Sequence, residues 1–223
     1  MNMQKIRPHL PWITLVVLVA IVGAANPGFL RPANLLEMAG DIVPLFVMAL
    51  GMTFVVYIGG IDLSAQSMAN LITVVATIYL ATLGPFVALL CIALGFGLGY
   101  LSGFVTTRLL VPSFISTLAT GGLAFSMAQW LSGQRAVTMD ADQRNRVFGW
   151  MIGKTGIVPN ELIIAVVLLG IALFIERRTT LGRVLKAVGA GELAAAASGI
   201  NVARFKILAF AISGSLAAIA GLI

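Results

Sequence analysis

The run Tyr57-Ile58-Gly59-Gly60-Ile61-Asp62-Leu63-Ser64 places a lone carboxylate just past a pair of glycines, inside otherwise apolar sequence. Glycine lets the backbone leave helical geometry. A carboxylate at a bilayer centre costs about 2.5–3.5 kcal/mol on insertion scales. Asp62 therefore belongs at an interface, in a protein-lined cavity or at a helix cap. After it, Gln66, Asn70, Thr73 and Thr77 recur at helical spacing and form one polar stripe. Lipid does not tolerate such a stripe, so it must face other helices or water. A broken helix beside a polar stripe is how transporters build a solute path. The candidate path residues are Gly59, Gly60, Asp62, Ser64, Gln66, Asn70 and Thr73. The plainer reading is a tight helical hairpin with Asp62 or Ser64 as N-cap of the next helix, and the two readings are compatible.

A second stretch is basic. Gly182-Arg183-Val184-Leu185-Lys186-Ala187-Val188-Gly189 leads into Gly191-Glu192-Leu193-Ala194-Ala195-Ala196-Ala197-Ser198-Gly199-Ile200-Asn201. The alanines form helix readily, Glu192 falls in the first turn where the helix dipole favours an anion, and Gly199 stands where a left-handed C-cap belongs. Such a helix is too short to persist alone, so the chain or a partner must brace it.

Other chemistry is thin. One cysteine, Cys91, and one histidine, His9, offer no metal cluster. Cys91 reads as a packing residue, and His9 sits with Lys5 and Arg7 at the headgroup level before the first span. Gly153-Lys154-Thr155 is the nearest approach to a phosphate-binding loop, but Phe148 stands where its first glycine should be. No paired carboxylates and no Ser/His set lie within the apolar blocks, which argues against a membrane enzyme. The sequence calls for no cofactor.

The elements that must position these residues are apolar. Hydrophobic residues make up 60% of the 223 and charged residues 10%, where a soluble domain carries about a quarter charged. The apolar blocks do not alternate with polar residues, which excludes a membrane barrel. Seven segments stand out: Leu10–Ala25, Val43–Ile58, Ser64–Leu83, Phe86–Thr107, Ser113–Leu131, Glu161–Ile175 and Ile207–Ile223. They predict an all-α, polytopic transmembrane helical bundle of about seven spans, one domain over residues 1–223, interrupted near Gly59–Ser64. The first segment, with Val22-Gly23-Ala24 near its end, has the look of a cleavable signal, but the six that follow make a retained span simpler. The last run stops at Gly221-Leu222-Ile223 and reads as a span cut short.

A net charge of +6 does not signal nucleic acid, because no basic patch sits on a soluble module. It reports orientation. With a cytoplasmic N-terminus, residues 176–206 return to the cytoplasm, the inside segments together hold nine of the 14 basic side chains, and Glu37, Asp41, Asp140, Asp142 and Glu161 fall outside or at that edge. Gly95, Gly99 and Gly103, and likewise Ala209, Ser213, Ala217 and Gly221, recur every four residues as close-packing faces, within the chain or between subunits.

Four stretches, in order along the chain, resemble ABC importer permeases of the ribose/xylose/galactoside type. They are Asn26-Pro27-Gly28-Phe29 through Asn34-Leu35, Gly59-Gly60-Ile61-Asp62-Leu63-Ser64, Pro112-Ser113-Phe114-Ile115-Ser116-Thr117-Leu118-Ala119-Thr120, and Glu192 through Asn201. The resemblance implies a transport subunit of the bacterial inner membrane that carries a monosaccharide or similar small polar solute. It also implies a separate cytoplasmic ATPase, a periplasmic sugar-binding protein and a second permease copy in a homodimer, all in membrane lipid. Residues 176–206 would be the cytoplasmic coupling segment, with Arg183, Glu192, Ala195, Ser198 and Gly199 meeting the ATPase. Full-length members continue through further spans. A branched-chain amino-acid or cobalamin-type permease is the alternative within this class. An ion-coupled transporter fits less well, since Asp62 is the only acidic candidate within the apolar blocks.

Overall fold

A computed structural model describes residues 10–223; Lys5, Arg7, His9 and the expected cytoplasmic N-terminus lie outside them. The chain forms α1 (Leu10–Ala25), α2 (Pro32–Asp41), α3 (Val43–Tyr57), α4 (Ala65–Leu83), α5 (Phe86–Arg108), α6 (Ser113–Ser132) and α7 (Ala141–Ile152). A two-residue ribbon follows, β1 (Lys154–Thr155) and β2 (Val158–Pro159), then α8 (Asn160–Arg178), α9 (Thr180–Ala190), α10 (Glu192–Ala197) and α11 (Val202–Leu222). Proline marks many of the starts: Pro32 and Pro44 lie in the first turns of α2 and α3, and Pro85, Pro112 and Pro159 immediately precede α5, α6 and α8. Proline has no N–H to leave unpaired and its fixed φ suits a helix entry. Gly84 and Gly133, at φ +52° and +58°, end α4 and α6.

The architecture is an all-α helical bundle, in which the length and composition of the described helices confirm fewer than the seven spans expected. Three helices, α4, α5 and α11, are long and apolar enough to cross a membrane, and α2 with α3, bent by 46°, would make a fourth. The shortfall has local causes. The bend at Ile42 and the break after Tyr57 leave α3 with 15 residues, roughly 22 Å against the ~30 Å of a hydrocarbon core. α1 is apolar throughout but has 16 residues. α6 spends positions on serine, threonine and glycine, and α8 carries Glu161, Glu176, Arg177 and Arg178 at its ends.

α11 is the centre of the bundle. Its Ala209, Ala211, Ser213, Ala217 and Ala218 are fully buried. α5 packs antiparallel against it along glycines. A Cβ on Gly99 would run into the Phe210 carbonyl, one on Gly95 into the Gly214 carbonyl, and one on Gly103 into the Ile207 backbone. The small-residue faces thus serve packing within the chain, with one change of register. α5 meets Ile207, Phe210, Gly214 and Ala218, whereas Ser213 lies against Gly51 of α3, and Gly221 against Ala69 of α4. α7, the ribbon and the start of α8 lie at one end of the bundle. α9, α10 and the start of α11 lie at the other, with the ends of α3 and α5.

The broken helix, the polar groove and the α9–α10 segment

Why the chain breaks after Tyr57 is visible in its hydrogen bonds. Gly59 N–H donates to Val56 O at 3.0 Å and Gly60 N–H to Val55 O at 3.0 Å, with Gly59 at φ +71°. This is the paired bonding of a left-handed helix stop. Gly60 has no room for a side chain, since a Cβ there would lie 2.8 Å from Val55 Cγ1 and 3.3 Å from Phe210 Cζ.

The next residues carry backbone groups with no helical partner, and a buried backbone must find one. α6 supplies it. Ile61 N–H donates to Ser113 Oγ at 3.0 Å and Leu63 N–H to Thr117 Oγ1 at 3.2 Å, while the Thr117 hydroxyl lies 3.3 Å from the Ile61 carbonyl.

Asp62 is 4% exposed and its two oxygens are divided between near and far partners. Oδ1 accepts from Ser64 N–H at 2.9 Å and Ser64 Oγ at 2.5 Å. Oδ2 accepts from Ser213 Oγ on α11 at 2.6 Å. Among the described residues it joins no ion pair. The capping expectation needs correcting. Ser64 occupies the N-cap position of α4, yet makes no side-chain cap bond, because its hydroxyl is committed to Asp62. Asp62 in turn bonds Ser64 itself rather than the first turn of α4.

The stripe faces one space. Gln66, Asn70, Thr73 and Thr77 line a cavity of about 540 Å³ together with Arg144 of α7 and the end of α11. A second cavity of about 450 Å³, lined by Asp62, Leu63, Met52, Met48 and Gln66, shares Met48 and Gln66 with the first. The two form a groove from the break, along α4, toward α7. The Thr73 hydroxyl bonds the Gly221 carbonyl at 2.8 Å and Thr77 bonds Thr73 O at 2.7 Å. The Gln66 and Asn70 amides are exposed to the groove and hydrogen-bond no other described side chain or backbone group. Ser64 is fully buried behind this wall. Gly59 and Gly60 open instead on a cavity of about 350 Å³ at the α9 end, beside Glu192, Lys206 and Ser113.

Residues 176–206 form the α9–α10 pair. Thr179 caps α9 by accepting from Gly182 N–H at 3.4 Å, and Asn201 caps α11 by accepting from Arg204 N–H at 3.1 Å. α10 ends as its sequence predicts, with Gly199 at φ +82°, Gly199 N–H on Ala196 O at 3.0 Å and Ile200 N–H on Ala195 O at 3.1 Å. Ala195 is buried, whereas Arg183, Glu192, Ser198 and Gly199 are exposed. Glu192 pairs with Lys206 of α11. Leu185 and Val188 of α9 and Ala195 pack with Phe54, Val55, Ile58 and Phe210 in one apolar cluster.

Ser113, Thr117, Arg144 and Ser213 complete the arrangement without having been singled out for it in the sequence. In the sequence Ser213 reads only as part of a packing face, and nothing local links it to Asp62, 151 residues away.

Residues 34–223 match the family described as branched-chain amino acid transport system / permease component. The ribose import permease of Haemophilus influenzae is 33% identical over 219 residues, covering 95% of this chain and 67% of that protein. The ribose import permease of Bacillus subtilis is 33% identical over 229 residues, covering 99% and 68%. The galactofuranose transporter permease of Escherichia coli is 31% identical over 199 residues, covering 87% and 56%. No solved structure matches.

Proposed function

This chain belongs to that permease-component family, and from this premise we propose that it forms the monosaccharide path of a bacterial ABC importer, with ATP hydrolysed in a separate subunit. The observation that carries the proposal is the groove along α4, where the Gln66 and Asn70 amides and the Thr73 and Thr77 hydroxyls face one continuous space. Each amide offers donors and an acceptor, which suits the hydroxyls of a sugar. The family description names branched-chain amino acids, whereas the relatives above are named for ribose and galactofuranose. An amino acid carries two charges: Arg144 offers a countercharge to its carboxylate, but its ammonium group needs a free carboxylate, and Asp62, the one described acidic residue lining the groove, has both oxygens engaged by neutral donors. The sugar reading fits better.

The finer topology is part of the same reading. α2–α3, α4, α5, α6, α8 and α11 alternate in direction through the bundle, and α1 would precede them as a seventh crossing. The α9 end holds Arg108, Arg177, Arg178, Arg183, Lys186, Arg204 and Lys206 against five basic residues at the α7 end, which supports reading it as the cytoplasmic end. There α10, held by glycines and presenting an 88% exposed Leu193, would dock on the ATPase together with Arg183 of α9, through Glu192, Ser198 and Gly199. A periplasmic binding protein would deliver solute at the α7 end. The exposed apolar faces of α1 and α8 would meet lipid or a second copy of the chain.

Reconstitution in proteoliposomes with its partner ATPase and binding protein tests the function. ATP-dependent uptake of a pentose or hexose, with none of leucine, is the expected result. Uptake of leucine alone would overturn the sugar reading.

A further inference from the structure

We infer that Gly189 of α9 is the positioning residue through which movement of the α9–α10 pair reaches the Gly59–Ser64 break. The inference rests on residues 176–206 being the ATPase-coupling segment. Gly189 lies directly on the backbone of Tyr57, the last residue of α3, and a Cβ at Gly189 would overlap the Tyr57 carbonyl oxygen. Carbonyls of a helix's last turn have no partner within the helix, so this one is open to a close Cα–H contact.

One turn earlier on α9, Lys186 holds the same tyrosine by its ring. Its Nζ stands 5.7 Å from the ring centroid and 2.6 Å from Glu176 Oε1. Cation–π attraction and the ion pair therefore act on one group. Tyr57 is thus gripped at both its carbonyl and its side chain by α9.

Between these grips, Leu185 and Val188 interlock with Phe54, Val55 and Ile58 in the apolar cluster. Packed side chains transmit displacement because the interior offers little space to absorb it. Two residues beyond Tyr57 comes Gly59, at φ +71°. Beyond it, the loop backbone at Ile61 and Leu63 is held by the hydroxyls of Ser113 and Thr117 and not by a helical ladder. The loop is the compliant part, and Asp62 and Leu63 within it line the solute groove. A push on α10 would then be read at the wall of the path through backbone contact at Gly189.

The test uses the permease assembled with its ATPase and binding protein in proteoliposomes, reading ATPase co-purification, ATP hydrolysis and solute imported per ATP. Gly189→Ala should keep the ATPase bound and hydrolysing while solute per ATP falls roughly 2- to 30-fold, the span seen for substitutions along coupled networks. Lys186→Gln should shift the ratio in the same direction, and Lys186→Arg, which keeps ion pair and ring contact, should restore it. An unchanged ratio in Gly189→Ala overturns the inference. If that variant does not accumulate in the membrane, an unchanged ratio in Lys186→Gln overturns it. Co-purification of the ATPase with Leu193→Arg and Glu192→Lys reports separately on the coupling segment: retention in both would remove the reading beneath the inference, whatever the Gly189 result.

Discussion

Asp62 is a buried carboxyl group that accepts from three neutral donors, two from Ser64 and one from Ser213. Removing the carboxylate strands them, and an unsatisfied buried polar group costs about 1–3 kcal/mol. Asp62→Ala should therefore lower both the melting midpoint of the purified protein and its transport rate. Ser213→Ala should also destabilise. Because the two residues share one bond, the double variant should lose less than the sum of the singles, and strict additivity in thermal unfolding would show the bond to be idle. Asn70 differs in kind. Its amide is free of other described residues and faces the groove, so Asn70→Leu should leave stability near wild type. Uptake should drop about 2- to 13-fold, the worth of one net hydrogen bond of ~0.5–1.5 kcal/mol. Unchanged uptake kinetics at normal membrane levels would remove Asn70 from the path. That Asp62 is special was legible from its isolation in apolar sequence. Its partner was not, because a serine among small packing residues carries no mark of the carboxylate it serves.

The elements were legible wherever prolines, glycines and long apolar runs bound them. α1 coincides with the segment read from sequence, and α4 and α5 agree to within a residue at each end. α11 begins five residues before the predicted Ile207, because Arg204 and Lys206 look like a loop yet ride on the first turns of a helix capped by Asn201. α2 and α7 are short and amphipathic rather than apolar, so a search for spans passes over them. At α10 the local signals agreed, and the cap formed as its glycine requires. Gly199→Val puts a β-branched residue at φ +82°, a strain of about 1–3 kcal/mol. The expected outcome is normal insertion with loss of ATPase co-purification, and Gly199→Asn, which accepts the left-handed region, should be milder. Co-purification of the ATPase with the valine variant at the wild-type level would show that the cap does not matter to docking.

For the whole molecule, orientation is the first quantity to measure. The native Cys91 is buried and should stay silent to a membrane-impermeant thiol reagent. In intact cells Arg144→Cys should be labelled and Arg183→Cys should not; the reverse pattern would invert the topology. The order in which the bundle is built has a consequence for biogenesis. α3, α4 and α5 all close on α11, the last described helix to leave the ribosome. Until it arrives, the glycine face of α5 has no opposing surface and Asp62 lacks its Ser213 hydroxyl. The earlier helices must then wait in the membrane, or at the insertion machinery, with their inward faces bare. Quality control that recognises such faces would act on every nascent copy in the interval between the synthesis of α5 and that of α11.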